Sequence, residues 1–200
     1  IINPYLAVLV GVFAVSFSAL FVRLTTAPPL IIATYRLLFT FLLLAPATAA
    51  SHFSGVRSMS RREIALSAAS GVFLALHFVT WFTSLFYTSV ASSVVIVTMQ
   101  PVFVVVGAWL FFREKVPRLA LLGGVVALCG SIVIGAGDFQ LGMRAFVGDL
   151  LALAAAVFVS GYLLIGRKLR GNVELSGYTF VTYGASSLVL VSASFLSRTP

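Results

Sequence analysis

Charge is scarce in this chain. Only 9% of its 200 residues are Asp, Glu, Lys or Arg, against about 25% in soluble domains. No charged residue occurs between Glu63 and Arg113. Acids are rarer still, at five against thirteen basic residues. With 60% hydrophobic residues and a mean hydropathy of +1.12, a soluble fold of this length could not hide its apolar surface. Cysteine is nearly absent too. Cys129 alone excludes an intramolecular disulfide and any multi-cysteine metal centre, and its place in an apolar run suits a small packing residue. The chain has no His-Glu-x-x-His site, no Gly-x-Ser-x-Gly elbow and no pair of intramembrane aspartates. It has no Walker A sequence, so ATP is not the direct fuel within these residues. No enzyme, cofactor or metal site is expected.

What is present is apolar sequence in lengths of about 20 residues, which a bilayer-spanning helix requires. Seven segments qualify: roughly 4–22, 30–46, 64–86, 90–112, 119–137, 146–165 and 178–196. They are apolar on all sides rather than alternating, which favours helices over a barrel. The expected class is an all-α polytopic membrane protein. Short connections predict antiparallel hairpins between consecutive helices.

A net charge of +8 would suggest a nucleic-acid partner in a soluble chain. Here the basic residues sit in loops and read as topology, with no nucleic acid implied. Arg57, Arg61, Arg62, Arg113, Lys115, Arg118, Arg167, Lys168 and Arg170 occupy the even-numbered loops, whereas Arg23, Arg144 and Arg198 occupy the other side. Nine against three places the even-numbered loops and the amino terminus in the cytoplasm, in a plasma or inner membrane. That orientation opposes a G-protein-coupled receptor, and neither lysine lies in the seventh span, which opposes a retinal protein. The chain opens without methionine and closes just after an apolar run, as expected of a piece of a longer protein.

Five matched positions point to an internal repeat. Sliding the sixth segment onto the first by 144 residues aligns Leu6 with Leu150, Leu9 with Leu153, Ser16 with Ser160, Leu20 with Leu164 and Arg23 with Arg167. The two segments run in opposite directions, and five helices per unit is the odd number an inverted repeat requires.

Polar residues inside spans are costly and therefore informative. His77, Thr80, Trp81 and Ser84 follow one face of the third segment at i, i+3, i+4 and i+7. They form either a cavity wall, with a stacking indole and a hydrogen-bonding imidazole, or interhelical glue. Arg36 lies six residues past Leu30, about 9 Å from the outer end at 1.5 Å per residue. It either snorkels to the interface or meets a carbonyl, an acid or an anionic substrate group; Tyr35 beside it offers a hydroxyl. Asp149 is a candidate partner or an acid favoured at a helix start. His77 and Asp149 are the groups that could exchange a proton. Gln100-Pro101 lies midway through the fourth segment, where proline breaks the helix and frees the carbonyl of Val97; such breaks line ligand paths in transporters. Ser160, Tyr162, Tyr178, Thr182 and Tyr183 are weaker lining candidates. Small residues recur at every fourth position, Gly123, Ala127, Ser131 and Gly135 in the fifth segment and Gly148, Ala152, Ala156 and Ser160 in the sixth. These stripes serve intramolecular packing or a homodimer face.

Tyr-Thr-Ser-Val-Ala-Ser-Ser-Val-Val (87–95), Gln-Pro-Val-Phe (100–103), Phe-Arg-Glu-Lys-Val (112–116) and Leu-Leu-Gly-Gly-Val-Val-Ala-Leu-Cys-Gly (121–130), with Ala-Thr-Tyr-Arg (33–36) and Gly-Asp-Leu-Leu-Ala-Leu (148–153), together resemble the EamA-type domain of the drug/metabolite transporter superfamily. The resemblance implies a ten-helix carrier of two inverted five-helix units, exporting or exchanging amino acids and other small metabolites by alternating access. Residues 1–137 would form the first unit, and 138–200 the first two helices of the second. Glu114 resembles the family's acid after the fourth helix, and its basic neighbours Arg113, Lys115 and Arg118 suggest an ion-pair cluster. The expected cavity wall is Tyr35, Arg36, His77, Trp81 and Gln100, supported by Thr80 and Ser84. The expected partners are a small-molecule substrate and the bilayer. The other functional class left open is a non-transporting membrane scaffold or assembly subunit that packs through its small-residue faces.

Overall fold

The computed structural model describes residues 4–51 and 53–197; Arg198 lies outside them. The described residues form α1 (Pro4–Ser16), α2 (Ser18–Leu24), α3 (Pro29–Ala50), α4 (Ser54–Arg57), α5 (Arg61–Tyr87), α6 (Val90–Val97), α7 (Gln100–Phe112), α8 (Arg118–Leu141), α9 (Met143–Leu169) and α10 (Leu175–Leu196). Five spans among them, counting α6 and α7 as one, are long and apolar enough to cross a membrane, and two shorter apolar stretches lie at 8–24 and 118–134. The protein is an all-α polytopic membrane protein.

Local sequence sets the helix limits. Pro29 sits at the first position of α3, where its missing N–H costs nothing. A capping box starts α5: the Ser60 hydroxyl accepts from the Glu63 amide at 3.3 Å, and Glu63 Oε2 accepts from the Ser60 amide at 2.7 Å. Ser89 caps α6 by accepting from the Ser92 amide at 3.0 Å. The fourth span breaks where expected. α6 ends at Val97, Thr98 and Met99 form a turn, and α7 restarts with Pro101 in its first turn. The first span also breaks, at Phe17, which no proline or glycine announces. Gly142 adopts φ 126, a left-handed conformation available to glycine, and lets α9 follow α8 directly.

Packing does not follow the chain order that short loops suggest. The most extensive interface joins α5 to α9, and the next join α10 to α5 and to α3. α5 and α9 run antiparallel, since His77 meets Ala155 and Ser70 meets Tyr162. Small residues permit the approach. Ala152, Ala155 and Ala156 of α9 are fully buried, as are Ser67, Ser70 and Ser84 of α5 and Thr182 and Ser186 of α10. The α9 stripe therefore packs within the molecule. A Cβ at Gly71 of α5 would collide with the Thr182 carbonyl oxygen of α10, so these two backbones touch.

Polar side chains tie the helices together, as expected where apolarity cannot drive association. The Thr182 hydroxyl donates to the Ser67 carbonyl at 3.2 Å, the Ser70 and Tyr178 hydroxyls lie 2.7 Å apart, and those of Thr34 and Ser194 lie 3.0 Å apart. α8 lies at the flank. Gly123 and Gly130 have open space beside them, and Leu119, Leu122, Val126, Ile132 and Val133 are exposed.

The basic loops gather at one end. Arg167 reaches Glu114, which joins the loop after α7 to the end of α9, and Gly55 packs on Gly177, which joins α4 to α10. At the opposite end Arg23 lies over Phe86, Arg144 over Tyr87, and Gly148 abuts Thr88.

Candidate functional site

Between α2, α3 and α5, near the end opposite the basic loops, lies a cleft of about 330 Å³ lined by residues including Ser18, Phe21, Thr25, Ile32, Arg36 and Phe82. Its polar centre is Arg36. The guanidinium carbon stands 4.7 Å from the centre of the Phe78 ring and 5.9 Å from that of Phe82, and Nη1 donates to the Ser18 hydroxyl. The break at Phe17 places Ser18 at the start of α2. The aromatic pair supplies cation–π attraction that a desolvated cation needs. Arg36 thus turns inward against α5 rather than toward lipid.

Behind this cradle the third-span residues are split between two roles. His77 is buried, and its Nδ1 lies 2.9 Å from the Ala155 carbonyl oxygen, which makes it the donor in that bond. Its ring stacks on Trp81 at 5.7 Å and 25°. Trp81 in turn contacts Phe78 and Phe82, which links it to the Arg36 cradle. The Trp81 indole N–H is buried without a hydrogen-bond partner among the described residues. Such a group is rare in a native interior, and a ligand is one explanation for it. Ser84 serves packing: its hydroxyl donates to the Trp81 carbonyl and faces Ser93 Oγ at 2.6 Å. The Thr80 hydroxyl donates to carbonyls of its own helix, those of Leu76 and His77.

The remaining candidates are not gathered at one point. Tyr35 is 55% exposed and stacks on Phe39 of its own helix, away from Arg36. Gln100 and Pro101 mark the helix break beside α9, where the Ser160 hydroxyl donates to the Gln100 carbonyl at 3.0 Å. Asp149 is buried early in α9, six residues before Ala155, which the His77 ring meets. Tyr162, Tyr178, Thr182 and Ser70 form a second polar cluster between α5, α9 and α10, below a cavity of about 670 Å³ that opens among Arg167, Arg170 and Leu175. Phe78, Phe82 and Ser18, which shape the Arg36 site, carry no mark that distinguishes them in sequence from ordinary lipid-facing or helix-lining residues.

Glu114 does not pair with its sequence neighbours. Both of its carboxylate oxygens accept from Nη2 of Arg167, at 2.7 and 2.8 Å. Both side chains are nearly half exposed, so the pair contributes little. Glu114→Gln should lower stability by under about 1 kcal/mol, read as a small shift in a thermal scan in detergent. A drop of ten degrees would mean that this contact holds the basic end together.

Comparison with known proteins agrees with this architecture. Residues 2–136 match the EamA-like transporter family. An uncharacterized transporter, YxxF of Bacillus subtilis, is 26% identical over 134 residues, 66% of this chain and 43% of that protein. The pseudopaline exporter CntI of Pseudomonas aeruginosa is 25% identical over 134 residues, 67% of this chain and 46% of its own length. The match thus spans less than half the length of these relatives. No solved structure matches. A family match running from the amino-terminal helix through α8, on a helical membrane protein whose fourth span breaks at Pro101, places this chain in the EamA-like transporter family.

Proposed function

We propose that the protein is a secondary transporter that exports or exchanges a small amphipathic metabolite, amino acids included, by alternating access. The observation that carries this reading is the cradle at Arg36, with the unpartnered Trp81 indole N–H and the His77 ring behind it. The Arg36 guanidinium and the Phe82 ring face the cleft, and the buried Trp81 indole packs behind them against Phe82, an arrangement that suits a binding surface rather than plain helix packing. The exporter name of one relative supports the direction of transport. The gathering of basic loops at one end supports a cytoplasmic amino terminus in a plasma or inner membrane. Residues 1–137 and 138–200 are read as a first five-helix unit and the opening two helices of an inverted second, and rocking of the units would alternate access. Thr80, Ser84 and Gln100 lie outside the lining of this cleft, and the Pro101 break would shape the wider path.

The test is flux. The full-length protein is reconstituted in liposomes loaded with the twenty amino acids and a set of small organic acids, and efflux of each is followed by mass spectrometry. At least one compound should leave faster than from protein-free vesicles. Efflux equal to the protein-free rate for every compound, from protein that is folded and oriented, would favour the scaffold class instead. Proton coupling would run through His77 or Asp149. Flux unaffected by imposed pH gradients removes it.

A further inference from the structure

We infer that the Arg36 cleft takes a small monocarboxylate with an apolar body and no ammonium group, a narrower class than metabolites in general. The inference rests on the carrier reading above.

The argument begins with charge. The groups around Arg36 are Ser18 from α2, Phe78 and Phe82 from α5, and, within electrostatic reach, Tyr183 of α10 and His77 of α5. None of these is a carboxylate, and the Glu114–Arg167 ion pair stands at the far end of the bundle. A guanidinium has five N–H donors in one plane. Ser18 takes one, and the two phenyl rings meet the cation without accepting in-plane hydrogen bonds. Donors therefore remain in the plane, in the fork geometry that matches a carboxylate in bidentate fashion.

The balance of charge selects the class. A monoanion brings the site to neutrality. A zwitterion carries no net charge, so it leaves the site at plus one and brings its ammonium close to the guanidinium, with no acid on the cleft wall to compensate. Like charges at short range in a low-dielectric site repel strongly. The lining offers Phe21, Phe82, Val22 and Ile32 to an apolar body and the hydroxyls of Ser18 and Thr25 to little else. Its 330 Å³ sits at the small end of ligand pockets.

A lipid phosphate is the other anion that could reach Arg36, and the experiment separates the two sources. The full-length protein is placed in nanodiscs of phosphatidylcholine and, separately, in micelles of a phosphate-free glycoside detergent. Binding of phenylacetate, phenylalanine and phenethylamine is followed by tryptophan fluorescence. These probes share a benzyl body and carry, respectively, a carboxylate alone, a carboxylate with an ammonium, and an ammonium alone. Phenylacetate should bind at least ten-fold more tightly than phenylalanine, and phenethylamine should not bind. Arg36→Gln should weaken phenylacetate at least ten-fold, and Arg36→Lys should recover only part of that loss. Ser18→Ala, which leaves the cation in place, keeps the test readable if Arg36→Gln fails to fold; it should weaken phenylacetate several-fold. Equal affinity for phenylacetate and phenylalanine would overturn the inference. So would phenylacetate binding that is unchanged in Arg36→Gln, or binding that appears in detergent and vanishes in phospholipid. Amino-acid efflux from liposomes together with any of these results would leave the carrier standing and sink only the monocarboxylate.

Discussion

A Gly71→Leu variant is expected to lose its native packing. Gly71 faces the backbone of α10, where even a methyl group would collide with the Thr182 carbonyl oxygen and crowd the Ser186 amide and the Ala185 side chain. Backbone atoms cannot rotate aside as a flexible side chain does. The two helices must therefore separate, and the Thr182–Ser67 and Ser70–Tyr178 hydrogen bonds between them are lost with the contact. Overpacking in a tight core costs about 1–3 kcal/mol and occasionally more; here rigid neighbours and two broken bonds put the effect at the upper end. Size-exclusion profile and thermal midpoint in detergent read it, with Gly123→Leu as the control. Gly123 has open space beside it, and leucine is the better helix former, so that variant should match or exceed the parent. Equal midpoints for the two variants would mean that α5 and α10 do not approach closely.

The second large effect concerns Trp81, where two substitutions separate binding from packing. Trp81→Ala removes a buried aromatic on which His77 stacks, costing about 3–5 kcal/mol of stability and flux along with it. Trp81→Phe keeps most of the ring and deletes only the N–H. If nothing binds that N–H, replacing an unpartnered buried donor by an apolar ring is neutral or stabilising for the fold and silent for flux. With a substrate accepting from it, the fold stays as stable while flux or affinity falls roughly ten-fold, the equivalent of about 1.4 kcal/mol. The proteoliposome assay and a thermal scan on the same preparation distinguish these outcomes.

The sequence made some features plain and hid others for physical reasons. The five long apolar spans, the two shorter apolar stretches and the break at Pro101 are readable because hydropathy and proline chemistry act locally, within one helix. Even so, the first span's break at Phe17 left no trace, since an all-apolar stretch without proline or glycine looks continuous. The 77–84 face was legible as polar, yet spacing alone could not sort its members: His77 and Trp81 face the interior, Ser84 ties α5 to α6, and Thr80 serves its own helix. Adjacent Tyr35 and Arg36 diverge as successive helix positions must, and only Arg36 turns toward α5. Phe78 and Phe82 were invisible as a cradle because phenylalanine in a greasy helix reads the same toward lipid and toward a cation. Spacing points Glu114 to nearby bases, whereas its partner, Arg167, stands in the last turn of α9, which tertiary packing brings alongside.

The pairing of α5 with α9 has a consequence in time. A membrane protein is inserted from its amino terminus, so α5 enters the bilayer before α6, α7, α8 and α9 have been made. Through that interval Ser70 lacks its contact with the Tyr162 carbonyl, and the His77 imidazole lacks the Ala155 carbonyl it finally meets. Those groups must be sheltered by water, by the insertion machinery or by provisional neighbours until the later helix arrives. Assembly here is therefore governed by a late-arriving helix, and the moment at which α9 docks should be the moment at which the third span becomes locked in place.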